Sequence, residues 1–138
     1  MAENPVFAVF PEIINNLAFV ANTAKDGSGS GFVVFASGAS SGTRIAEIVV
    51  QATGTTVAGL IGVHLSGVGI TTGISPSGAP APLFDEITIA ATTSSATAKA
   101  YRLSTVYNNL VLQSGQFLLA RNTIANQGIN IIAFGADM

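Results

Sequence analysis

Apolar stretches a few residues long recur along the chain, separated by clusters of Gly, Ser, Thr and Asn. Punctuation at intervals of about 8–15 residues is the signature of a β-sandwich or barrel. The stretches predict eight strands, over residues 17–22, 31–36, 44–52, 57–66, 83–90, 101–106, 117–121 and 129–134, a number that suits a jelly roll. The period-2 pattern is clearest mid-chain. Over 44–52, Ala46, Ile48 and Val50 share one face and Glu47 and Gln51 the other; over 57–66, Ile61, Val63 and Leu65 oppose Gly62, His64 and Ser66. No long window carries an apolar stripe at helical spacing with a capping box, so any helix is short. The expected fold is an all-β, single-domain antiparallel sandwich, jelly-roll-like.

Two strands break the alternation. Phe32-Val33-Val34-Phe35 and Ile131-Ile132-Ala133-Phe134 put large apolar groups on both faces, so something must cover the second face. A subunit contact would do so, as would loops of the same chain. Residues 1–16 read as an arm ahead of a domain over 17–138: Pro5 and Pro11 remove backbone donors and favour extended chain, while Phe7, Phe10 and Ile13 would be costly to leave in water. The arm either docks on a neighbour or adds an edge strand. Residues 67–82 hold four Gly and three Pro around Ile70 and Ile74 and read as a long interaction or mobile loop. The Gly/Ser-rich 26–31 and 37–43 stretches read as hairpin turns. The candidate interface residues are therefore Phe7, Phe10, Ile13, Phe32, Phe35, Ile70 and Ile74.

Composition sharpens this picture. Of 138 residues, five are Lys or Arg and seven Asp or Glu, 9% where about 25% is usual. A surface so poor in ions can be pressed against a partner at little desolvation cost. A net charge of −2 without clustered Lys or Arg argues against nucleic-acid binding. Residues 1–21 lack the basic start and unbroken apolar run of a secretory signal, and no apolar run is long enough to span a bilayer, so a soluble protein is expected. Cysteine is absent, which excludes disulfides, thiolate nucleophiles and Cys-based zinc sites.

Candidate chemistry is sparse. The single histidine, His64, falls on a presumed polar strand face and reads as a surface residue. Gly38-Ala39-Ser40-Ser41-Gly42 has the letters of a nucleophile elbow but leads into a strand instead of a helix. Asp85 and Glu86 are adjacent on a strand and therefore point to opposite faces. Asp26 has the small-residue neighbours of a calcium loop without its alternating ligands. The expectation is a non-enzyme with no catalytic, cofactor-binding or metal-ligating residues.

From about residue 17 onward the chain resembles a family of small tailed-phage virion proteins. The matching pieces are Ala21-Asn22-Thr23-Ala24-Lys25-Asp26-Gly27-Ser28-Gly29, Gly42-Thr43-Arg44-Ile45-Ala46-Glu47-Ile48-Val49-Val50-Gln51-Ala52-Thr53-Gly54-Thr55-Thr56-Val57-Ala58-Gly59, Leu83-Phe84-Asp85-Glu86-Ile87-Thr88-Ile89, Leu110-Val111-Leu112-Gln113-Ser114-Gly115 and Ile131-Ile132-Ala133-Phe134-Gly135-Ala136-Asp137. The resemblance implies a β-sandwich that trimerises and decorates a phage head, with no catalytic residues. The expected role is a capsid decoration (cement) protein at the virion head surface, with its own copies and the major capsid protein as partners. The alternative is a tail or fibre component or a host-surface (glycan) binding module.

Overall fold

The computed structural model describes residues 12–14, 21–67, 81–124 and 128–138. The chain is all-β, and the described residues form eight strands: β1 (Glu12–Ile14), β2 (Val33–Ser37), β3 (Thr43–Ala52), β4 (Gly59–Ser66), β5 (Leu83–Ile89), β6 (Arg102–Leu112), β7 (Phe117–Asn122) and β8 (Ile129–Asp137). They form two four-stranded antiparallel sheets, ordered β1-β8-β3-β6 and β2-β7-β4-β5.

The pairing is nested: β4 pairs with β5, β3 with β6, β2 with β7 and β1 with β8. This is one long hairpin with its tip between β4 and β5, rolled so that β8 also meets β3 and β7 also meets β4. The expected jelly roll is therefore the observed topology. Of the strands consecutive in sequence, only β4 and β5 share a ladder. The 26–31 and 37–43 stretches, read from sequence as hairpin turns, instead precede and follow β2 on crossings between sheets.

The core between the sheets follows the alternation. Ile48 and Val50 of β3, Ile61 and Val63 of β4, Ile87 and Ile89 of β5, Leu118 and Ala120 of β7 and Ile129 and Ile131 of β8 are all buried in one cluster. Each fully buried Ile or Leu contributes about 1.5–3 kcal/mol relative to exposure. Two bulges shift the phase. The β3 register slips between Ile45 and Glu47, so Ile45 is buried and Ala46, expected inside, is exposed. A slip between Val34 and Ala36 leaves both Phe35 and Ala36 in the core.

On the side of the sandwich where β5 and β6 are edges, Tyr107 of β6 and Tyr101 just ahead of it tie the sheets together. The Tyr107 hydroxyl donates to Asp85 Oδ2 at 2.6 Å, and the Tyr101 hydroxyl donates to the Thr88 carbonyl at 2.5 Å. Burial, reinforced by the Asp85 carboxylate, raises the Tyr107 pKa well above the usual phenol value, so it remains a donor at any physiological pH. Glu12–Ile14, in the segment read as an arm, pairs with β8 at the edge of its sheet. No helix of the described residues is long and apolar enough to cross a membrane.

Candidate functional site: the two outer faces of the sandwich

Each sheet has a face turned away from the core. On the β2-β7-β4-β5 sheet the register sets Arg121 of β7, Gly62 of β4 and Glu86 of β5 in one cross-strand row. Gly62 is required there. A Cβ at this position would lie 2.7 Å from Arg121 Nε and 2.8 Å from its Cζ, because the guanidinium lies flat across the glycine towards Glu86.

Arg121 and His64 are both fully buried (0% exposed), and their polar atoms are matched. Arg121 Nε donates to His64 Nε2 at 3.0 Å, Nη1 to the Asn22 carbonyl at 3.1 Å and Nη2 to Glu86 Oε1 at 3.2 Å. Lys25 Nζ donates to Glu86 Oε2 at 2.8 Å. Since His64 Nε2 accepts, its proton is on Nδ1, which donates to the Ala81 carbonyl at 2.9 Å. The chain of contacts thus runs from exposed Lys25 to a neutral, buried imidazole.

Segments of the same chain cover this face. Asn22 shapes the approach to β2: its Nδ2 donates to the carbonyls of Ser28 (3.0 Å) and Ser30 (2.9 Å), and its Oδ1 accepts from Ala24 N (2.9 Å). Gly27, at φ 81°, lies so close to Ala81 that a Cβ would meet its carbonyl oxygen at 2.3 Å. Phe32, Leu119 and Ala81 form a second buried cluster here, with Val34 and Phe117 packed against it, and the Phe32 ring meets the His64 imidazole edge-on at 5.1 Å.

The electrostatics follow from this placement. Burial holds the His64 pKa below the ordinary histidine value, with the Arg121 cation acting in the same direction. The Lys25 hydrogen bond holds Glu86 below the usual carboxylate range, with the Arg121 charge assisting. Asp26 is lowered as well, by the Ser28 hydroxyl and amide that its Oδ1 accepts from. Asp85 and Glu86 diverge as expected, one towards Tyr107 and the other towards Arg121.

The outer face of the β1-β8-β3-β6 sheet is different in kind. Register sets Phe134, Glu47 and Val106 in one row and Ile132, Val49 and Ser104 in the next. Val106 is 70% exposed, Phe134 and Ile132 are half-buried, and the Ser104 hydroxyl bonds the Glu47 carboxylate. A cleft of about 190 Å³ opens between β2 and β8, lined mainly by Phe35, Ala36, Thr43, Ala133, Gly135 and Asp137. At its mouth Thr43 Oγ1 donates to Asp137 Oδ1 at 2.6 Å.

Among the residues singled out from sequence, Phe32 and Phe35 are both 0% exposed. They are on opposite faces of β2 as the pattern required, but the chain covers both itself, so neither offers surface to a partner. Phe7, Phe10, Ile70 and Ile74 lie outside the described residues, as does the side chain of Ile13. His64, read as a surface residue, is buried. Arg121 was not singled out at all. The available signal was its strand parity, which it shares with Leu119, opposite a glycine on the next strand. Among the described residues no three His, Asp or Glu side chains gather as metal ligands.

Set against family models, curated proteins and solved structures, the chain matches none.

Proposed function

We propose that the chain is a structural virion protein, a decoration (cement) protein that binds the outer surface of a tailed-phage head and stabilises the major capsid lattice, self-associating as a homotrimer. The observation that carries this reading is the outer face of the β1-β8-β3-β6 sheet, where Val106, Phe134 and Ile132 stand on a protein with 9% charged residues. Apolar side chains with few ions around them lose little solvation when covered by a second protein surface. Many copies, each burying a modest patch, hold a lattice by avidity. The jelly-roll topology and the sequence resemblance agree with the reading, and fold alone would not carry it.

The test is to add purified protein to undecorated capsids and measure bound copies and thermal resistance. Binding that raises capsid resistance, with trimers by light scattering, is the expected outcome. A monomer at micromolar concentration that leaves capsids unaffected would overturn the reading. The alternative, a tail or fibre component that binds host glycans, has the β2–β8 cleft as a concave candidate. Binding to host cells in place of capsids, lost on Thr43→Val, would favour it.

A further inference from the structure

The proposed function makes no use of the buried imidazole, and its geometry has a consequence of its own. His64 Nε2 receives the Arg121 Nε hydrogen and Nδ1 supplies the hydrogen to Ala81 O. Both ring nitrogens are therefore committed in one protonation state. A second proton can go only onto Nε2, where it would face the N–H it now accepts. The same two residues hold the segments covering this face: Arg121 grips the Asn22 carbonyl, and His64 grips Ala81, against which Gly27 packs.

We propose that His64 is an acid-released latch: protonation at Nε2 turns an acceptor of the Arg121 hydrogen into a second cation beside the first, and residues 22–31 and Ala81 then part from the sheet. The groups facing His64 are Arg121 from β7, Glu86 from β5 and Asp26 from the 22–31 segment, with Lys25 held on Glu86, while Phe32 just ahead of β2 contributes an uncharged ring. Burial and the Arg121 cation hold the pKa down, outweighing the Ala81 carbonyl bond and the Glu86 and Asp26 charges, which favour the protonated form. The sign follows. The closed form is fully favoured above the free-histidine value of about 6.5 and loses that advantage as pH falls towards the lower folded value. Glu86 is held below the usual carboxylate range, so it is ionised where that loss begins. Opening would bare Phe32 and Leu119, which the closed form buries.

Hydrogen exchange on the full chain tests this, reading the protection of the 22–31 amides as a ratio to that of β3 so that the intrinsic pH dependence of exchange cancels. Between about pH 6.5 and the folded value the ratio should fall by up to about tenfold per pH unit, levelling off where the His64 imidazole signals titrate by NMR. His64→Gln keeps an acceptor for Arg121 without a titrating group, and its ratio should stay constant over the same range. A constant ratio in the wild type, or loss in His64→Gln parallel to the wild type, would overturn the latch. If that variant does not fold, the wild-type imidazole decides: a midpoint at or above the free-histidine value overturns the proposal, and one below it, with protection lost between the two, supports it.

Discussion

On the β2-β7-β4-β5 sheet the outward positions hold Arg121, His64 and Phe32 without exposure, whereas on the β1-β8-β3-β6 sheet Val106 stands 70% exposed beside a half-buried Phe134. The covered face holds the buried ions together with an apolar cluster, whereas the other leaves Val106 open to solvent although Val49 in the neighbouring row is buried. The difference lies in what each face is joined to. The 22–31 segment and Ala81 come from connections flanking β2 and β5, and they give the guanidinium and imidazole the backbone carbonyls that a buried donor must find. Val106 and Phe134 need no such partners, and their cover can come from another molecule.

Substitutions on the two faces should therefore separate stability from assembly. The largest effect belongs to Arg121→Ala, which strips Glu86, His64 and the Asn22 carbonyl of a common donor. Breaking a buried charged network from one side costs about 3–5 kcal/mol, readable as a lower urea midpoint. Next comes Gly62→Ala. The added methyl displaces a guanidinium held by three partners that cannot all follow it, at about 1–3 kcal/mol by the same measurement. Asn22→Ala removes the bonds to the Ser28 and Ser30 carbonyls, which water can partly replace, so a loss of about 1 kcal/mol is expected. Val106→Glu should change stability by less than about 0.5 kcal/mol yet abolish trimerisation and capsid binding. An assembly-competent Val106→Glu protein would break the comparison, and so would an Arg121→Ala protein as stable as the wild type.

Much of the fold was legible because alternation and glycine punctuation act locally. Seven of the eight strands stand close to where the pattern puts them, and β6 and β8 run on further than expected. Bulges were not legible: nothing around Ala46 announces that β3 gains a residue there, although the slip decides whether Ala46 faces the core. The His64–Arg121 site was invisible for a related reason. Parity correctly placed His64 on an outer face, but which segment folds over that face depends on contacts between His64 and Ala81, or Arg121 and Asn22, that no local window contains. Phe32 was misjudged by the same omission, since its two-faced strand was right and the covering segments were its own.

The nested pairing also sets the order in which the chain can form. A ribosome delivering this sequence releases β4 and β5 as a pair that can close at once, while β1 must wait for β8, whose residues 131–133 are its partners. Every other ladder joins segments separated by a growing length of intervening chain, and distant contacts of this kind make for slow folding. Newly made copies can thus complete their fold only once β8 has emerged. For that interval the strands destined for the centres of both sheets are bare, a hazard for any protein produced in many copies at once.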